Sequence, residues 1–254
     1  MIAPETHMGA VHLTVADLER SRAYYVDAIG LEDLGDGSFG AGGVQLLRLV
    51  EEPGARPSPG HTGLFHFALV LPDRRDLSAW LRHAIEDRVA LTGASDHGVS
   101  EALYLRDPDH HGIEIYADRP GADQHVIGTW PLDVDDLRAA SDAPTAALPA
   151  GTRMGHVHLC VADVGDTIAF WRDEVGLDLM AQLGDQAAFL SAGGYHHHLG
   201  TNTWESRGAA PAPAGTARLL HFTLVTTEAE IERLGSELRD PSGNLARLAP
   251  PPKS

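Results

Sequence analysis

The sequence predicts an α+β protein built from four copies of one strand–helix–strands unit, and three observations predict it. Each long copy opens with apolar residues at every second position, the pattern of a half-buried strand. An Asp then stands where a helix N-cap belongs. The copies also align with one another over long stretches.

The first and third units match without a gap. Met8-Gly-Ala-Val-His-Leu-Thr-Val-Ala-Asp17 faces Met154-Gly-His-Val-His-Leu-Cys-Val-Ala-Asp163. Beyond the capping Asp17 and Asp163, Tyr25 faces Trp171, Gly30 faces Gly176 and Leu31 faces Leu177. Each stretch therefore predicts a strand, a capped helix and a glycine stop. The second and fourth units match at Leu64-Phe-His-Phe-Ala-Leu-Val70 and Leu219-Leu-His-Phe-Thr-Leu-Val225. Asp73 caps the next helix, whose apolar stripe is Leu77, Trp80, Leu81, Ala84 and Ile85. Leu105-Arg-Asp-Pro108 faces Leu238-Arg-Asp-Pro241 after a much shorter interval, so the fourth unit is shortened. The units span 8–50, 61–117, 153–200 and 218–249. Duplicated units of this kind tend to build a site between them. Residues 119–152 read as a linker with a short helix near Asp133–Ala140, which divides the chain into domains at 1–118 and 153–254.

Composition narrows the function. A length of 254 residues suits two small domains, and 43 % hydrophobic with 22 % charged residues suits a globular protein. A formal charge of −17 argues against nucleic acid and anionic membranes as partners. No apolar run is long enough for a membrane helix, and Met1–Glu5 leads straight into polar residues, so no signal peptide is expected. Cys160 is the only cysteine, so no intrachain disulfide forms and a cytoplasmic location is expected. The 15 histidines are the unusual feature.

Three segments carry a family resemblance: Gly155-His-Val-His-Leu159, Leu105-Arg-Asp-Pro-Asp-His-His-Gly-Ile-Glu-Ile-Tyr116 and Ala192-Gly-Gly-Tyr-His-His-His-Leu-Gly200. They resemble the vicinal oxygen chelate (glyoxalase, bleomycin resistance and extradiol dioxygenase) superfamily, and within it the two-domain bacterial catechol 2,3-dioxygenases. The resemblance implies four βαβββ modules, the fourth truncated, whose mixed sheets curl into two half-open barrels. It also implies a divalent metal in the mouth of one barrel.

In that superfamily the ligands come from the first strands of two paired modules and the last strand of one. The first-strand positions here are Ala10, His66, His156 and His221, and the carboxylate positions are Glu114 and Arg247. One complete set remains, His66, Glu114 and His156, and it requires module two to pair with module three. His221 then reads as a relic without its carboxylate. A lone strand His is usually a packed core residue, and His12 and His158, on the same face as the ligand slots, read as either pocket or interior residues. Two imidazoles and a carboxylate suit non-haem Fe(II), and Mn(II) accepts the same set.

The resemblance further implies Tyr104 and His97 near the two oxygens of a catechol, and His197 as the acid/base residue. His196 and His198 are the register alternatives: on a strand they would share one face and His197 the other. Glu237 replaces Tyr104 in the fourth module, whose loop lacks the His97 counterpart. Asp107, Pro108 and Gly112 read as turn residues. The expected function is an Fe(II)-dependent extradiol ring-cleaving dioxygenase acting on a small aromatic diol with O2, with a homodimer as the default oligomer. The alternatives are a glyoxalase-type metal-dependent isomerase or lyase, and a metal-free bleomycin-resistance-like binding protein.

Overall fold

Asp17, Asp73 and Asp163 each cap a helix with a side-chain oxygen, as their spacing predicts. The computed structural model describes residues 1–252. Module one runs β1 (His7–Val15), α1 (Leu18–Ala23), β2 (Glu32–Gly35), β3 (Ser38–Ala41) and β4 (Val44–Glu51). A two-residue strand, β5 (Arg56–Pro57), leads to module two: β6 (Gly63–Leu71), α2 (Arg74–Glu86), β7 (Leu91–Asp96), β8 (Ser100–Arg106) and β9 (Gly112–Asp118). The connecting segment holds α3 (Val134–Ala139), where a short helix was expected, and Asp133 caps it. Module three is β10 (Arg153–Cys160), α4 (Val164–Ile168), β11 (Asp178–Leu183), β12 (Ala187–Ser191) and β13 (Leu199–Asn202). After β14 (Thr216–Ala217), module four has β15 (Leu219–Val225), α5 (Glu228–Leu234), β16 (Glu237–Arg239) and β17 (Leu245–Ala249), one strand fewer than the others.

Both α1 and α4 widen into a π-type turn, over Tyr24–Ile29 and Ala169–Val175, before stopping at Gly30 and Gly176 in the left-handed region. A side chain at Gly30 would strike the Ala146 carbonyl at 1.7 Å, so the connecting segment packs against this stop and only glycine fits. On α2, Leu77, Trp80, Leu81 and Ala84 are buried. Ile85, expected on the same stripe, is 50 % exposed because it falls past the edge of the arc that meets the sheet.

Two mixed sheets result, and each takes one module from either side of residues 119–152. One runs β16-β17-β15-β1-β4-β3-β2 and joins modules four and one. The other runs β11-β12-β13-β10-β6-β9-β8-β7 and joins modules three and two through antiparallel β10 and β6. This is the pairing the ligand set requires. The two modules of each half pack through a ring on the π-type turn of one against a strand of the other, Tyr25 against Phe67 and Trp171 against Phe222. Burial of a ring such as Phe67 is worth roughly 1.5–3 kcal/mol. Tyr25 also donates its hydroxyl to Asp107 Oδ2 at 2.9 Å, while Asp107 Oδ1 accepts the Asp109 and His111 amides at 2.9 and 2.8 Å. Asp240 repeats the two amide bonds with Ser242 and Asn244. The Asp-Pro loops are thus turn structures that set the start of β9 and β17. No helix among the described residues is long and apolar enough to cross a membrane.

Candidate metal centre and its cavity

Strand register decides which side chains meet. His156 stands opposite Ala68, and Ala68 stands opposite Glu114, so β10, β6 and β9 place a His, a small residue and a carboxylate in one row. His66 lies two residues before Ala68 and shares its face. Gly112 lets β9 lie close there, since a side chain on it would meet the Phe65 carbonyl at 2.1 Å. The Nε2 atoms of His66 and His156 lie 3.2 Å apart, and each approaches Glu114 Oε2, at 3.0 and 3.2 Å. All three residues are buried, and they form the one group of three or more potential metal ligands found among the described residues.

Electrostatics favours a cation at this point. Burial pushes the His156 imidazole down to about 4, so the ring is neutral at neutral pH. Burial alone would raise the Glu114 carboxyl, but the His156 and His66 rings facing it hold it well below the usual carboxylate range. The pocket thus offers a carboxylate and two imidazoles.

These residues line a cavity of about 810 Å³, together with His97, Tyr104, His158 and His197. Phe65, Phe189, Leu183, Ile127 and Trp204 give the same cavity an apolar lining. Tyr104 stands on β8 opposite Glu114. His97, in the loop before β8, meets the Tyr104 hydroxyl at 2.6 Å through Nε2 and the Gly128 carbonyl at 2.6 Å through Nδ1. A carbonyl can only accept, so Nδ1 carries the hydrogen and Nε2 accepts the tyrosine O–H. Burial lifts the Tyr104 phenol well above 10, keeping it protonated. His158 is buried opposite His66 and lines the cavity. His12 instead stacks on His221 in the other sheet, with ring centroids 4.0 Å apart.

The three consecutive histidines do not lie on a strand as expected. They occupy the loop before β13, where the face rule for strands has no hold. His197 reaches the cavity, its ring 4.1 Å from that of His156. Burial pushes it well below 6.5. His196 and His198 turn elsewhere: His196 bonds Asp118, and His198 Nδ1 accepts from Ser191 and from the Ala192 amide. Sequence reading missed the share of residues 119–152. Ile127, Gly128 and Thr129 line the cavity, and the Gly128 carbonyl orients His97. No periodicity marks that segment.

The sister sheet has lost the same cluster. Arg247 occupies the position of Glu114 and is bound to Glu237, which stands where Tyr104 would. Ala10 fills the slot of His156.

A family model, that of the Glyoxalase/Bleomycin resistance protein/Dioxygenase superfamily, matches residues 7–115. The chain is 41 % identical over 245 residues to catechol-2,3-dioxygenase of Bacillus subtilis (strain 168), covering 90 % of this chain and 86 % of that one. Among solved structures, a Bacillus subtilis protein provisionally assigned as a dioxygenase superposes with a TM-score of 0.62 at 15 % identity, over 98 % of this chain and 86 % of that one. Glyoxalase I from Zea mays superposes with a TM-score of 0.55 at 17 % identity, over 97 % and 92 %. At these identities the solved structures speak for the fold.

Proposed function

From the premise that this chain belongs to the glyoxalase/bleomycin resistance protein/dioxygenase superfamily, we propose that it is an Fe(II)-dependent extradiol dioxygenase, cleaving the ring of a catechol-type substrate with O2. One observation carries the reading. A two-histidine, one-carboxylate cluster opens into the same cavity as a Tyr104–His97 pair and His197.

The donor set fits such an ion. Ligand atoms in neighbouring positions of an octahedral ion, with bonds of about 2.1 Å, stand about 3 Å apart, close to the 3.0–3.2 Å separating His66, His156 and Glu114. His66, His156 and Glu114 would hold the iron. When bound, the iron supplies Lewis acidity and the redox chemistry of O2 activation.

The protein's own work is placement and proton handling. The Tyr104 hydroxyl gives its hydrogen to His97, which leaves its oxygen lone pairs free to accept a substrate hydroxyl. His197 faces the same space and is neutral, so it serves as base for the other hydroxyl and returns that proton during ring opening. The apolar wall from Phe65 to Trp204 holds the ring and excludes water. Both atoms of O2 enter the product, and the broken bond lies beside the diol, giving an aldehyde and a carboxylate.

The test is anaerobic loading with Fe(II), then a panel of catechols with O2. Yellow ring-opened product and one O2 consumed per catechol are expected. Nickel- or zinc-dependent isomerisation without cleavage would make it a glyoxalase-type enzyme. Tight aromatic binding without metal would make it a sequestering protein.

A further inference from the structure

Behind His197 stands a row of polar groups that the proposed reaction has not yet used. His196 Nδ1 lies 2.7 Å from His197 Nδ1, and His196 Nε2 lies 3.0 Å from Asp118 Oδ1. His196 is almost fully buried, whereas the Asp118 side chain is about one-third exposed. The row therefore runs from the cavity wall to the surface. Asp118 ends β9, the strand that carries Glu114. The loop is also held by the His196 amide, which donates to Gln124 Oε1 at 3.0 Å, and through Asp118 itself, whose two oxygens the Tyr195 hydroxyl reaches at 3.2 Å.

We propose that Asp118 and His196 are positioning residues that fix which nitrogen of His197 faces the substrate without a hydrogen. A carboxylate only accepts, so His196 Nε2 carries the hydrogen of that ring. With its one hydrogen there, the ring has a bare Nδ1, which accepts across the 2.7 Å contact. His197 must supply that hydrogen from its own Nδ1. Its Nε2 is left bare, and the hydrogen bond found for this ring among the described residues is the one at Nδ1. Such an atom takes a proton rather than gives one at the start of the reaction. The same carboxylate–imidazole logic sets tautomers wherever a His must act as a base.

The catalytic part of this inference rests on the dioxygenase reading, and the tautomer part does not. The test separates them. Imidazole ¹⁵N NMR of the zinc-loaded, diamagnetic protein reads which nitrogen of His197 holds hydrogen, with no turnover required. The expected result is Nδ1–H in the natural chain and loss of that preference in Asp118→Ala and His196→Leu. Nε2–H in the natural chain would overturn the proposal. In the iron-loaded protein, the same two variants should lower kcat about 10²-fold, with KM and iron content within about two-fold. His196→Asn, whose side-chain carbonyl can still accept from His197, should recover most of kcat. Unchanged kcat in His196→Leu, or equal loss in Asn and Leu, would refute the positioning role. If the natural chain cleaves no catechol yet keeps the Nδ1–H tautomer, the arrangement stands and the dioxygenase reading falls.

Discussion

His66 and His156 meet at their Nε2 atoms, 3.2 Å apart, although they are not register partners. The residue opposite His66 is His158, and the residue opposite His156 is Ala68. The two imidazoles converge diagonally, above the one small side chain between His156 and Glu114. In the sister sheet, His12 and His221 are direct partners and stack face to face, with Ala10 in the slot of His156. The same module therefore builds either a converging cluster or a packed ring pair. The two sheets differ, among other places, in Ala10 against His156 and in Arg247 against Glu114.

Metal retention should divide along that line. Glu114→Ala removes the one anionic ligand and should leave less than a tenth of the iron after gel filtration in weak chelator. His221→Ala, in the sheet whose carboxylate position is Arg247, should retain nearly all of it. Iron analysis per chain decides, and equal loss at both positions would refute the assignment of the centre to the sheet of modules two and three.

Ala68 offers a steric test of the same centre. It is fully buried between Glu114 and His156 across neighbouring strands. A Leu there would put three more carbons into the space the ligands share. Overpacking costs about 1–3 kcal/mol, so Ala68→Leu should still fold by circular dichroism. Its iron content should fall at least about ten-fold. A fully loaded Ala68→Leu protein would mean the ion sits elsewhere.

The residues legible in the sequence were those fixed by local rules. Asp17, Asp73 and Asp163 announce helix starts by type and spacing, and Gly30 and Gly176 announce the stops. The convergence of His66, Glu114 and His156 was legible because the family resemblance names the positions and the repeats show which copies keep a His or a carboxylate there. Residues placed by irregular backbone could not. His196 and His197 hydrogen-bond side by side because their loop abandons strand alternation, and Gly128 reaches His97 from a segment with no repeat partner. Ile85 misled because a stripe read from sequence does not give the width of the buried arc.

The turn after β8 carries more stability than its position suggests. Asp107 accepts from Tyr25, Asp109 and His111 in a buried setting, tying module one to module two. Asp107→Ala leaves three buried donors unpaired and should cost about 3 kcal/mol in urea denaturation. Tyr25→Phe removes one of those bonds and should cost about 1 kcal/mol. The double variant should cost less than the sum, since both remove the same contact. Strict additivity would show that the Tyr25–Asp107 bond contributes nothing.

Acid should destabilise the fold through imidazoles that are buried neutral. Burial, followed by repulsion from His196, pushes His198 down to about 3 from 6.5. The folded state resists a proton that the unfolded chain accepts readily, so the unfolded state binds more protons between those values. The stabilisation is complete above pH 6.5, declines as pH falls toward 3, and levels off below. By pH 4 the loss from this one ring is about 3 kcal/mol. Metal-free protein is the right sample, because acid would otherwise also release the ion. His198→Asn keeps an acceptor for Ser191 and Ala192 but cannot titrate. Urea midpoints of the natural chain should fall more steeply than those of the variant between pH 6.5 and 4, and parallel curves would show that His198 is not held neutral by the fold.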